Sequence, residues 1–122
     1  MGMDMYLYRA RAEKAINDYL NSMSYTDESF DWQDDNTNVP VAEVYYSRKF
    51  WDLYHAMSFT KDYDCGQYLR LTKKEIKEML DYSILHPDYF GDFSTVDKLC
   101  RIYYKYDEWE EQGYHIFFEC DW

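Results

Sequence analysis

Glycine, proline and cysteine are all scarce in this chain, and each scarcity removes a class of function. The four glycines, Gly2, Gly66, Gly91 and Gly113, are scattered through 122 residues. No glycine-rich loop wraps a phosphate, so the P-loop and the dinucleotide-binding fingerprint are absent. The three cysteines, Cys65, Cys100 and Cys120, are odd in number, widely spaced and without a C-x-x-C pair. That pattern argues against a disulfide framework and fits a reducing compartment. The expectation is a cytoplasmic protein whose cysteines act as small buried hydrophobes. No apolar run approaches the roughly 18 residues of a membrane span, and no basic-then-apolar start marks a signal peptide. His55, His86 and His115 are each isolated, without the tight His/Cys spacing of a zinc site. The acids between Asp31 and Asp35 lack the central glycine and closing glutamate of a calcium loop. No nucleophile sits in a recognisable catalytic context. The expectation is therefore no catalytic residue, no metal and no cofactor, and the reading leans away from an enzyme.

Acid and aromatic residues fill the space. The formal net charge is −11, and 21% of the chain is aromatic, with 15 tyrosines. The charge disfavours direct contact with nucleic acid or an anionic membrane and favours a cationic partner. Arg48, Lys49, Lys73, Lys74 and Lys77 make at most a small basic patch against that background. The acids are also unevenly placed. Between Lys14 and Arg48 there is no Lys or Arg but seven acids, namely Asp18, Asp27, Glu28, Asp31, Asp34, Asp35 and Glu43. After Lys105 come six more and no base: Asp107, Glu108, Glu110, Glu111, Glu119 and Asp121. Either these are two solvated segments, or they converge into one negative face that imitates phosphates. The tyrosines admit a similar choice, because a ring with a hydroxyl suits both a wet-edged core and an adhesive surface.

Periodicity sketches a single α+β domain over residues 1–122, with a small three-stranded sheet and about four helices. Met3 to Tyr8 alternates, with Met3, Met5 and Leu7 on one face and Asp4, Tyr6 and Tyr8 on the other. Ala12, Ala15, Ile16, Tyr19, Leu20 and Met23 form one stripe of a helix from Ala10 to Ser22. From about 24 to 38 periodicity disappears into an acidic, aromatic loop, a length that is usually functional or disordered. Tyr46, Phe50, Leu53, Tyr54 and Met57 then predict a helix over Val41 to Met57, with Pro40 in its first turn. A second strand spans Gly66 to Leu71. Thr72 and Glu75 form a capping box for a helix carrying Ile76, Met79, Leu80, Ser83 and Ile84 to His86-Pro87. Ser94 caps a fourth helix, which extends as far as Glu111 and stops at Gly113. Tyr114 to Cys120 is the last strand, apolar on both faces and so covered on both sides or central in the sheet.

The opening Met1-Gly2-Met3-Asp4-Met5-Tyr6-Leu7 resembles the Met-Gly-Leu-Asp-Met-Tyr-Leu start of an uncharacterised group of phage and prophage proteins. Members carry Tyr-Trp-Arg-Lys followed by Ile-His, where this chain has Tyr46-Ser47-Arg48-Lys49 and then Leu53-Tyr54, with His55 one position late. They have a Cys before a Tyr-bearing strand and a helix, as in Cys65-Gly66-Gln67-Tyr68 to Leu80, and close on an aromatic strand ending in Trp, as in Tyr114 to Trp122. The resemblance spans most of the chain except Ala10 to Asn38. It implies a mobile-element origin and no particular reaction.

Three functional expectations follow. The first is a binding protein docking on a host protein with a basic surface, in its economical form an inhibitor of a nucleic-acid-handling or defence enzyme. Its candidate contacts are Asp27, Glu28, Asp31, Trp32, Asp34 and Asp35, where acids lie among interface-type aromatics. The second is a small-ligand, nucleotide-like binding protein or minor enzyme with an aromatic pocket around Tyr46, Arg48 and Tyr68. The third is a structural phage accessory protein. None of the three expects membrane or direct nucleic-acid binding, and none specifies an oligomeric state.

Overall fold

A computed structural model of the chain describes residues 3–22, 41–48, 51–64, 66–86 and 94–121. The acidic segment 24–38, and with it all six candidate contacts from Asp27 to Asp35, lies outside the described residues. So do Pro40, Lys49 and Phe50.

The alternation at the start does form a strand, β1 (Asp4–Ala10), and it buries Met3, Met5 and Leu7 completely. Helix α1 (Glu13–Ser22) follows and buries Ile16, while Ala12 and Leu20 stay exposed, so its apolar stripe is narrower than the spacing predicts. The helix expected from Val41 to Met57 is two elements instead. Val41–Arg48 is a strand, β2, antiparallel to β1, and only Trp51–Ala56 is helical, as α2. Val41, Val44, Tyr45 and Tyr46 are β-branched or aromatic and fit a pleated surface better than a helix. The sheet accordingly has four strands rather than three.

A short 3-10 turn (Ser58–Thr60) leads to β3 (Leu69–Leu71), which begins after the turn at Gly66, where φ is +90°. Helix α3 (Lys73–Leu85) starts on the predicted capping box: Thr72 Oγ1 accepts from Glu75 N, and Thr72 N donates to the Glu75 carboxylate at 2.9 Å. Helix α4 (Ser94–Glu111) ends in a Schellman turn. Gly113 takes φ +86°, Tyr114 N donates to Trp109 O at 2.8 Å and Gly113 N to Glu110 O at 3.0 Å. Strand β4 (His115–Asp121) then runs back through the sheet, whose order is β2-β1-β4-β3, antiparallel throughout. The last strand is thus central, pairing the two ends of the chain from Asp4↔Asp121 to Ala10↔His115.

One sheet face carries the main core. Met3, Met5 and Leu7 join Ile116, Phe118, Cys120 and Leu71 beneath residues of α2, α3 and α4 that include Leu53, Ile76, Met79, Leu99, Ile102 and Trp109. Each fully buried side chain of this size contributes about 1.5–3 kcal/mol. Tyrosine hydroxyls tie the edges of this core to backbone. Tyr63 Oη donates to Gln67 O and accepts from Cys120 N, both at 2.8 Å, taking over where the three-residue β3 ends. Tyr106 Oη donates to Leu71 O at 2.7 Å, fixing α4 to β3. Arg9 is buried on the same face, its guanidinium 4.4 Å from the Tyr114 ring centre and 5.3 Å from that of Trp109. Among the described residues no helix is long and apolar enough to cross a membrane.

Candidate functional site

The opposite face of the sheet is built differently. Residues paired across antiparallel strands share a face, so Asp4, Tyr6, Tyr8 and Ala10 of β1 stand beside Asp121, Glu119, Phe117 and His115 of β4. On the other side of β1, they stand beside Arg48, Tyr46, Glu43 and Val41 of β2. Helix α1 covers one end, where Ile16, Ala10, Val41, Phe117 and Tyr8 form a second small cluster with Ala15 and Tyr19 against it. The other end keeps Tyr46 and Asp121 exposed and Tyr6, Glu119 and Tyr68 half-buried.

Four tyrosine rings cross this face in a row. Tyr46 lies 5.2 Å from Tyr6, Tyr6 stacks on Tyr8 at 5.8 Å and 12°, and Tyr8 meets Tyr68 edge-on at 6.3 Å. These separations fall within the range of favourable aromatic pairs. Carboxylates hold two of the hydroxyls. Tyr46 Oη donates to Asp4 Oδ1 at 2.9 Å, and the Tyr8 hydroxyl donates to Glu119. Burial, followed by nearby carboxylates, pushes Tyr6 and Tyr68 up to about 12, and burial and then Glu119 push Tyr8 up as well. Burial, then the Asp4 bond, raises Tyr46. All four therefore stay protonated at neutral pH and serve as donors and ring faces, not as bases. Glu119 is itself raised, first by burial and then by Asp121, against the lowering effect of the Tyr8 bond.

The two base-free stretches meet here in part. Glu43 belongs to the first and Glu119 to the second, and both act on Tyr6 and Tyr8. The rest of the second stretch divides. Asp107 pairs with Lys73 at 2.8 Å and Glu108 with Lys105 at 3.1 Å, both on the helical side. Lys77 pairs with Asp81 at 2.9 Å, so two cations of the expected basic patch are engaged within α3 and α4.

Of the aromatic-pocket candidates, Tyr46 and Arg48 stand on β2 and Tyr68 just before β3, on opposite edges of the sheet and about 14 Å apart by strand spacing. Tyr46 and Tyr68 end the row that Tyr6 and Tyr8 span. One depression lies on the outer side of α4, lined by Asp97, Cys100, Arg101, Tyr104 and Lys105. The histidines are dispersed: His55 stacks on Trp51 at 5.9 Å, His86 on Tyr82 at 4.5 Å, and His115 opens β4. Among the described residues no group of three His, Cys, Asp or Glu side chains could hold a metal. Sequence reasoning had put Tyr6 and Tyr8 on the second face of the first strand but had not singled them out, nor Glu119 from its acidic run. Their alternation was the available signal.

This surface presents ring faces beside carboxylates, with the Tyr46 hydroxyl committed to Asp4. It can seat a cation between a ring and a carboxylate, and it can bury aromatic area against a partner. Comparison with known protein families, with curated proteins and with solved structures returned no match.

Proposed function

We propose that this chain is a non-catalytic binding protein whose tyrosine–carboxylate sheet face docks on the basic surface of another protein. The economical partner is a nucleic-acid-handling or defence protein of a phage host, inhibited because the acids occupy the groove that phosphates would fill. The observation that carries this reading is the row Tyr46–Tyr6–Tyr8–Tyr68 with Asp4, Glu43, Glu119 and Asp121 along it, left partly open on a chain of net charge −11. Aromatics supply contact area at low entropic cost, and the surrounding acids select the partner's sign and speed encounter. The acids at Asp27, Glu28, Asp31, Asp34 and Asp35, with Trp32, extend the same chemistry along the chain.

The test is capture from a bacterial host lysate by the immobilised chain, by a Tyr6→Ala/Glu119→Gln variant, and by a variant with Asp27, Asp31, Asp34 and Asp35 changed to Asn. The reading expects a nucleic-acid-binding protein that salt and competing duplex DNA both release, and that the face variant fails to retain. Retention indifferent to DNA and to both variants contradicts it.

A further inference from the structure

Among the described residues, Glu119 is a half-buried carboxylate without a cationic partner. It lies directly opposite Tyr6 on β1, takes the Tyr8 hydroxyl and stands beside Tyr68 across the β4–β3 pairing. Its charged neighbour on β4 is Asp121, and the charges that reach the adjoining rings are Asp4 on β1, Glu43 on β2 and Glu13 on α1, all carboxylates. Arg48, at the Tyr46 corner, acts on Tyr46. A partly desolvated charge among like charges is costly to hold until a cation arrives.

The molecule also shows what its own aromatic rings accept. Arg9 lies 4.4 Å over Tyr114 and 5.3 Å over Trp109, Arg11 lies 4.5 Å over Tyr114, and Lys73 lies 4.9 Å over Tyr103. Guanidinium is the commoner occupant. No such cation lies over Tyr6, Tyr8, Tyr46 or Tyr68 among the described contacts.

Resting on the docking face argued above, we propose that this face takes an arginine side chain of a basic partner segment, its guanidinium flat against the Tyr68 ring and paired with Glu119. Charge complementarity sets the sign of the occupant, and shape sets its type. A planar guanidinium stacks on a ring while its edge donors still reach a carboxylate, whereas an ammonium offers a compact, strongly hydrated point charge. The ring wall and the carboxylate beside it therefore distinguish arginine from lysine at equal charge.

The experiment is calorimetric titration of the intact chain with two blocked peptides of equal length and charge. One bears only arginines and the other only lysines in a Gly-Ser background, at about 0.15 M salt, where remote charges are largely screened. Wild type is expected to bind the arginine peptide about tenfold tighter. Glu119→Gln and Tyr68→Leu, each checked for native circular dichroism, should reduce that preference to near parity. Equal binding of both peptides by wild type, with both lost in Tyr6→Ala, overturns the guanidinium seat and leaves the docking face standing. Binding of both peptides unchanged by Tyr6→Ala and Glu119→Gln overturns the docking face as well.

Discussion

On the helix-covered face of the sheet, two tyrosine hydroxyls end on backbone groups: Tyr63 on Gln67 and Cys120, Tyr106 on Leu71. On the other face two more end on carboxylates, Tyr46 on Asp4 and Tyr8 on Glu119. The same residue type thus does two jobs. A buried hydroxyl on a carbonyl or amide satisfies a polar group that would otherwise be stranded, which is structural. A hydroxyl on a surface carboxylate fixes the acid and leaves the ring face beside it, an arrangement that stabilises the fold little and suits a cation well. These tyrosines therefore divide between backbone-tied and carboxylate-tied hydroxyls on the two sides of one sheet.

Substitutions sharpen that contrast. The largest effect belongs to the covered face: Phe118→Ala should cost about 3–5 kcal/mol by denaturant unfolding, because Phe118 is 1% exposed at the centre of the main cluster. Tyr6→Ala, on the open face, should cost less than about 1.5 kcal/mol; an equal cost would mean that the two faces are equally buried. Next comes the hydroxyl contrast. Tyr63→Phe strands Cys120 N and Gln67 O and should cost about 1–2 kcal/mol, whereas Tyr46→Phe should stay within about 0.5 kcal/mol in the same assay.

The last effect has the opposite sign. Glu119 titrates above the ordinary carboxylate range because burial and Asp121 penalise its charge. Its contribution to stability is complete below the unfolded-state value and is lost as pH rises through the raised folded-state value. Glu119→Gln should therefore raise stability at neutral pH, by no more than about 1 kcal/mol once solvent screening is allowed for, and the gain should vanish below about pH 4. Thermal unfolding of both proteins across that range checks the sign.

Much of the covered face was legible in the sequence. The Met3, Met5, Leu7 alternation, the Thr72–Glu75 capping box and the stop at Gly113 are local signals, and each names its element. Strand β2 was not legible, for a specific reason. Leu7 pairs with Tyr45 but Tyr8 with Glu43, so Val44 is an extra residue in a bulge. The burial along β2 then runs two buried and one exposed, twice over from Val41 to Tyr46, a rhythm close to a helical turn. Tyr46, read as part of a buried stripe, is 41% exposed. The open face was half legible. Its tyrosines and acids were visible as composition, but the pairing Tyr6↔Glu119 joins the two ends of the chain, and register over such a separation has no local signature.

The most direct test of a carboxylate held at a cost for an incoming cation is the titration of Glu119 itself. Its side-chain carboxyl carbon can be followed by NMR against pH, in the free protein and with saturating arginine peptide. The account predicts a midpoint above the ordinary glutamate range in the free chain and a clear fall when the peptide is bound. An ordinary midpoint that the peptide does not move would contradict it.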